Sequence, residues 1–415
     1  ISIVLCVELI SMQNGSSEGG KAGTWVEGPF AIDTSLVHAA IDPDPTTGAI
    51  LPPVYQNTTF IQESVAQYLE KGFSYSRTGN PTVRVLERKI AELEGGYGAT
   101  CVSTGMAATF TVFSALLKPG DHVVITNCSY GGTNRCARVH FSKYGIDFSF
   151  VDFRDIKTVE AAITERTKML FSESPTNPTL FLADVEAISQ LAKARGLVHV
   201  CDSTFATPLI MKPLDLGADI VIQSTTKFYD GHNITVGGAV VCKTKELDDT
   251  MHFHQNVLGN IMSPQVAFYQ LQTTKTMALR VRQQSATAQR VAEFLEKHPK
   301  VDKVVYPGLK SFPQKELADK QHKDGLHGGM LWFEVKGGTD AGRRLMDTCQ
   351  RPWSLCENLG ATESIITCPA VFTHANMLRE DRLKVGLTDG FVRVSCGIED
   401  ADDLVRSLKI ALDNL

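Results

Sequence analysis

The sequence predicts an α/β protein, with a mostly parallel, doubly wound sheet in a large domain followed by a smaller C-terminal α/β domain. Two observations carry this. From about residue 99, short β-branched runs alternate with stretches long enough for a crossover helix, the pattern of strands covered on both faces. After about residue 275 the texture changes to one long amphipathic stretch and three further strand-like runs. At roughly 150 residues per domain, 415 residues leave room for two to three domains.

In chain order, the strand runs are 121–126 (DHVVIT), 148–153 (FSFVDF), 168–173 (KMLFSE), 197–202 (LVHVCD), 219–224 (DIVIQS) and 238–242 (GAVVC). One intervening helix is readable in detail. Asp184 can cap it, Val185, Ile188, Leu191 and Ala192 share a face, and Gly196 can end it. A helix over about 275–298 then precedes strands at 301–306, 330–335 and 391–396, and a last helix starts near Asp400. The expected division is an N-terminal arm (1–78), a large domain (79–275) and a small domain (276–415). Within the arm, the Gly- and Ser-rich stretch 12–35 has no hydrophobic period and reads as flexible or draped over a partner.

Composition narrows the function. Apolar residues at 43% and charged residues at 21% describe a folded chain, not a disordered one. The 41 basic and 46 acidic residues give a net charge of -5, so no basic field exists for nucleic acid or an anionic membrane, and a small-molecule partner is expected. The ten cysteines are scattered, without C-x-x-C or clustered His/Cys spacing, which speaks against a metal site and for reduced thiols in a cytoplasmic protein. Residues 1–10 are apolar but too short to span a bilayer, carry Glu8 and lack a basic start, and Met12 is the expected natural start. Residues 15–21 fit G-x-x-x-x-G-K, but Ala22 stands where a P-loop needs a hydroxyl, so nucleotide binding there is not expected.

In open α/β sheets, ligands lie at the carboxyl ends of the strands. Three features stand out: Asp202 ends one run, Lys227 follows the next by three residues, and the segment Ser103-Thr104-Gly105-Met106 opens an apolar helix. A helix N-terminus offers unpaired N–H groups to a phosphate, and Gly105 lets that phosphate come close. Taken singly, Asp202 reads as a turn cap, the Ser-Thr-Gly segment as an N-cap and Lys227 as a solvated loop residue. Jointly they match the needs of pyridoxal phosphate: a donor nest for the phosphate, a carboxylate for the pyridine nitrogen and a lysine for the aldehyde. Ser224 and Thr226 add hydroxyls near Lys227, and Tyr130 is the candidate for ring stacking.

At this point the sequence resembles a known family. The segments SYSRTGNPT (74–82), STGMAA (103–108), YGGTNR (130–135), ESPTNPT (173–179), DSTF (202–205), STTK (224–227) and VRVSCG (392–397) together resemble the cysteine/methionine-metabolism family of pyridoxal-phosphate enzymes, in order, over about residues 33–415. The resemblance implies the aspartate-aminotransferase-like fold (type I) and a homotetramer, a dimer of dimers with shared active sites. It makes Lys227 the Schiff-base residue and proton carrier, Asp202 the pyridinium partner and Tyr130 the stacking ring, which also assists proton transfers. Gly105, Met106, Ser224 and Thr226 would hold the phosphate, with Tyr75 and Arg77 reaching it from the arm of the neighbouring subunit. Asn177 would lie near the cofactor's 3-hydroxyl and Arg393 would grip the substrate α-carboxylate.

Two positions bear on substrate. Family members that cleave methionine carry cysteine two residues after the stacking tyrosine, where this chain has Gly132. Glu357 falls where members handling cystathionine resemble one another in carrying an acid, which can receive that substrate's distal ammonium. The implied reaction is α,γ-elimination of cystathionine to cysteine, 2-oxobutanoate and ammonia. The open alternatives are members that run synthesis from an activated homoserine, by joining it to cysteine or by sulfhydrylation, and a non-catalytic binding protein of the same fold. An NAD-dependent dehydrogenase is disfavoured, since no G-x-G-x-x-G follows a strand run. The chain departs from the family pattern at Asn358, where serine is usual near the lysine, at Ser203, where asparagine is usual, and over 231–235.

Overall fold

The computed structural model describes residues 30–371, 379–384 and 386–415. Cys6, Met12 and the G-x-x-x-x-G-K stretch lie outside them. Seven strands form the larger sheet: β1 (Gly98–Val102), β2 (His122–Thr126), β3 (Asp147–Val151), β4 (Thr167–Glu173), β5 (Val198–Asp202), β6 (Ile220–Gln223) and β7 (Gly238–Cys242), in the spatial order β1-β7-β6-β5-β4-β2-β3. The neighbours from β6 through β3 pair in parallel, whereas β7 runs antiparallel to both β6 and β1. The mostly parallel sheet expected from the alternating runs is present; the reversal of β7 and the strand β1 were not anticipated.

Both faces of this sheet are covered, because its side chains alternate between two apolar surfaces. Ile220, Ile222, Val240 and Cys242 pack with the helix Gly105–Leu116, whereas Val221, Ala239 and Val241 join the core beneath the helix Pro81–Glu94. The helix read around Asp184 spans Val185–Arg195, with the Asp184 side chain accepting from Ala187 N and Gly196 closing it in the left-handed conformation. Val185, Ile188 and Ala192 are buried, while Leu191 is only half-buried. Among the described residues no helix is long and apolar enough to cross a membrane.

A second sheet follows the long helix Met277–Leu295. It contains β8 (Val301–Val305), β9 (Met330–Val335), β10 (Ser354–Leu355), β11 (Ile365–Thr367) and β12 (Phe391–Ser395), ordered β10-β11-β12-β9-β8. Only β10 and β11 are parallel. Its own core includes Phe333, Leu345, Val392 and Leu408, while Trp332 and Phe391 stack at 4.4 Å and belong to the core shared with the larger sheet.

The start of the described chain, residues 30–35, differs from the expectation of a flexible or partner-draped stretch over 12–35. Residues Ile32–His38 form a helix because Leu36 is fully buried in the chain's own core and Asp33 pairs with Arg282. Residues 41–79 then carry no helix or strand beyond a single bridge between Thr59 and Tyr75. They leave Ile61 at 90% and Val65 at 97% exposure, so neither side chain is covered by the described residues.

The last residue of the helix Pro81–Glu94 ties it to the sheet. Glu94 Oε1 accepts from Gln223 Nε2 and Tyr229 Oη, both at 2.9 Å, and burial pushes this carboxyl from its usual 4.5 up to about 7. Between those two values the native state holds more protons than the unfolded chain, so stability falls as pH rises through this window and levels off above about 7. The loss has an upper bound of ~3.4 kcal/mol. Glu94→Gln removes this titration; its melting temperature should fall less than the parent's between about pH 5 and about pH 8, as followed by circular dichroism. An equal fall in both proteins would show that Glu94 does not titrate there.

Candidate active site

The carboxyl ends of β4, β5 and β6 open into a cavity of about 290 Å³ between the two sheets. Of the residues singled out from sequence, Gly105, Met106, Tyr130, Asn177, Asp202, Ser224, Thr226, Lys227, Glu357, Asn358 and Arg393 all line it. Tyr75 and Arg77 do not; the Arg77 guanidinium donates to Asn256 O at 2.9 Å and to that residue's side chain.

One wall is a donor nest. Thr104 caps the helix Gly105–Leu116 by accepting from Ala107 N at 2.9 Å, leaving the amides of Gly105 and Met106 at its positive end. Gly105 is required by close approach: a Cβ there would lie 2.7 Å from Ser224 Cβ. The glycine thus brings the helix start against the loop that carries Ser224, Thr226 and Lys227. Ser224 Oγ is at hand for a ligand, whereas Thr226 Oγ1 already donates to Gly237 O and accepts from Gly237 N.

The floor holds two acids in register across the β4–β5 ladder, Glu173 and Asp202. Asp202 Oδ1 accepts from Thr204 N at 3.0 Å and Thr204 Oγ1 at 2.6 Å, which leaves Oδ2 for a partner in the cavity. Burial raises the Asp202 carboxyl above its ordinary value. Glu173, 4% exposed, is pushed well above the usual range by burial and then by Asp202. Its oxygens accept from Tyr130 N and Asn177 N, each at 2.7 Å, so one side chain fixes the backbones that present the ring and the amide.

The sequence reading did not single out Glu173 or Thr204. Glu173 ends a strand at the sheet's carboxyl edge, so the rule that selected Asp202 selects it equally. Thr204 connects two parts of the site, because the hydroxyl it donates to Asp202 also accepts from Ser224 N at 2.9 Å.

Lys227 Nζ donates to Asn358 Oδ1 at 2.7 Å, and burial followed by the Arg393 charge brings its amine down to about 8. Arg393 projects from β12, is 9% exposed, and donates to Asn177 Oδ1 at 3.1 Å and Asn358 O at 3.3 Å. Burial lowers the guanidinium to about 10, and among the described residues its partners are neutral oxygens, the condition of a cation prepared for an incoming anion. Glu357 is exposed at the rim. A side chain at position 132 would collide with the stacking position, since a Cβ on Gly132 falls 2.5 Å from Tyr130 Cε1 and 2.6 Å from Met106 Sδ. Ser203 is fully buried and does not line the cavity.

The donor set fits pyridoxal phosphate. Amides at a helix N-terminus with the Ser224 hydroxyl suit a phosphate, Asp202 with an available oxygen suits a pyridinium, and a half-buried lysine with a lowered value suits an aldehyde. Among the described residues no group of three or more His, Cys, Asp or Glu is arranged to hold a metal ion.

Comparison with known proteins agrees. The chain is 44% identical to a cystathionine β-lyase of Coxiella burnetii, over 92% of this chain and 97% of that protein. It is 41% identical to a cystathionine γ-lyase of Bacillus subtilis, over 92% and 99% respectively. A crystal structure of cystathionine γ-lyase from Lactobacillus plantarum complexed with L-serine superposes with a TM-score of 0.89 at 39% identity, covering 92% of this chain and 99% of that one. A cystathionine γ-synthase from Xanthomonas oryzae pv. oryzae, in complex with aminoacrylate and cysteine, gives a TM-score of 0.89 at 38% identity, covering 93% and 98%. The model of the Cys/Met metabolism PLP-dependent enzymes matches residues 33–413, and the chain belongs to that family.

Proposed function

We propose that the protein catalyses the α,γ-elimination of cystathionine, giving cysteine, 2-oxobutanoate and ammonia with uptake of one water. The observation that carries this reading is the presence in one cavity of a buried arginine whose hydrogen-bond acceptors among the described residues are neutral oxygens, and an acid at the rim, Arg393 and Glu357. A substrate with an α-carboxylate at one end and a second ammonium at the other meets both.

Pyridoxal phosphate, attached through Lys227, supplies an electron sink for the charge left when a proton leaves Cα. The chain's own groups do the rest. Gly105, Met106 and Ser224 would hold the phosphate, with Thr226 supporting the turn through Gly237. Asp202 would keep the pyridine nitrogen protonated, and Tyr130, its backbone amide held by Glu173, would stack on the ring. Arg393 would orient the carboxylate, and Asn177 would serve the 3-hydroxyl. An amine with a value near 8 is substantially neutral at slightly alkaline pH, so Lys227 can take the Cα proton; a second proton must then leave Cβ, whose electron pair forms the Cβ–Cγ bond as the Cγ–S bond breaks and the sulfur departs, protonated, as cysteine. The buried free thiols Cys101, Cys201, Cys242 and Cys396 support a cytoplasmic setting. The division into an arm over 1–78, a cofactor domain over 79–275 and a small domain over 276–415 belongs to the same proposal, with the arm completing a neighbour's site in a homotetramer.

The decisive measurement is product analysis with cystathionine as sole substrate. Equal amounts of cysteine, 2-oxobutanoate and ammonia are expected, and Lys227→Ala should lose both turnover and the visible cofactor absorbance. Homocysteine with pyruvate would mean cleavage on the other side of sulfur. Turnover only with an acylated homoserine plus a sulfur nucleophile would mean synthesis.

Glu357→Val should weaken cystathionine about tenfold in kcat/KM and leave methionine within about twofold, because only cystathionine brings an ammonium to be left unpaired. Equal losses on both substrates would remove the ammonium contact.

If Tyr75 and Arg77 serve a neighbour, co-expressed Lys227→Ala and Arg77→Ala chains should regain activity that neither has alone, near a quarter of the parent's for random pairing into dimers. No recovery in verified mixed oligomers would place Arg77 outside the shared site.

A further inference from the structure

Behind Lys227 runs a chain of three side chains that all point their hydrogen bonds one way. Lys227 Nζ donates to Asn358 Oδ1, Asn358 Nδ2 donates to Asn233 Oδ1, and Asn233 Nδ2 donates to Glu363 Oε2 at 2.9 Å. Neither Asn233 nor Glu363 lines the cavity.

An asparagine amide has nearly the same shape after a half-turn that exchanges its oxygen and nitrogen. Turned the wrong way, Asn358 would set its NH2 group against the ammonium form of Lys227, which only donates. Glu363 decides the direction, because an ionised carboxylate only accepts. It selects the nitrogen of Asn233, which leaves the Asn233 oxygen for Asn358, which in turn leaves the Asn358 oxygen for Lys227.

The backbone that carries these groups is fixed. Asn233 has φ 58°, a left-handed conformation that asparagine tolerates better than most residues. Around it the Asp230 carboxylate accepts from the amides of His232, Ile234 and Thr235 and from the Thr235 hydroxyl. The facing loop is tied to this one by Thr362 N donating to Gly231 O at 2.9 Å, and to the long helix by Gln284 Nε2 donating to Ala361 O at 2.7 Å.

We propose that Asn233 and Glu363 are positioning residues that hold the Asn358 amide with its carbonyl toward Lys227, so that the Lys227 amine keeps one place and one acceptor. This rests on the reading of Lys227 as the attachment and proton-carrying lysine. The charged and titratable groups that share the cavity with Lys227 are Arg393, Glu357, Tyr130, Asp202 and Glu173, and every variant below leaves them intact.

The test compares three holoenzymes with the parent: Asn233→Gly, which suits the left-handed backbone but removes the amide, Glu363→Ala, and the double variant Asn233→Asp with Glu363→Gln. In the double variant the introduced aspartate accepts from Asn358 and the introduced glutamine can donate to it, so an acceptor-only group again sets the direction. The single variants should lose about fivefold or more in kcat with KM within about twofold. The midpoint of the acid limb of their kcat–pH profile should fall by about half a unit, because the cationic form of the released amine has lost its acceptor. The double variant should return both readings toward the parent. Single variants with parental kcat and midpoint would overturn the proposal, as would a folded double variant no better than the singles. Failure of the underlying reading shows separately, as visible absorbance that survives Lys227→Ala.

Discussion

Across the β4–β5 ladder, parallel pairing sets Glu173 and Asp202 side by side at the carboxyl ends of their strands, and the cavity wall hangs from this pair. Burial raises both acids, the Asp202 charge raises Glu173 further, and the pair is costly to ionise. The surrounding donors offset that cost and are thereby held in place. Glu173 takes the amides of Tyr130 and Asn177, while Asp202 takes Thr204, whose hydroxyl fixes Ser224 N. A group that brings a proton or positive charge between them relieves both, whereas a neutral apolar group does not. The strand register therefore dictates the kind of ring the floor can accept.

The opposite side of the cavity is supplied by the second sheet, which is anchored to the first at a few points. Trp332 Nε1 donates to Thr179 O at 2.8 Å, just beyond the segment that carries Asn177. Trp332 is the register partner of Arg393 on the adjacent strand, and it stacks on Phe391. Arg393 then returns to the first sheet's loop through Asn177. One continuous set of contacts thus runs from the Glu173 carboxylate through Asn177 to Arg393, so the distance between floor and anion site follows from packing, not from a flexible loop.

Much of this was legible in the chain, and the limits are physical. The helix from Val185 to Arg195 announced itself through Asp184, a spaced apolar face and Gly196, because cap chemistry and periodicity agree there. The direction of β7 was not legible. Gly-Ala-Val-Val-Cys is buried on both faces, and such a run reads the same whichever way it is threaded. Gly105, Asp202 and Lys227 were found because the ends of parallel strands are where ligands sit, yet the same reasoning passed over Glu173, whose task is to hold two backbone amides. Tyr75 and Arg77 came only from resemblance, and a single chain leaves them outside the cavity. The departures at Asn358 and Asn233 were visible one at a time; that they bond to each other is tertiary information.

Relatives named as lyases and as a synthase match this chain over more than nine-tenths of its length, so family membership alone leaves the reaction open, and one exposed acid, Glu357, stands at the mouth of the cavity. There the physics differs from that of the floor. Glu357 is exposed, so in the free protein its charge is surrounded by water and screened by salt, and a cation that merely passes near it gains little. The interaction grows only when a bound molecule is long enough to cover the rim and strip water from the carboxylate, as a substrate anchored at Arg393 and extending outward would do. Selectivity from Glu357 therefore depends on the reach of the ligand as much as on its charge. A short amino acid that ends inside the cavity leaves this acid hydrated and indifferent, while one whose far end is charged and apposed to the rim is rewarded or rejected according to sign.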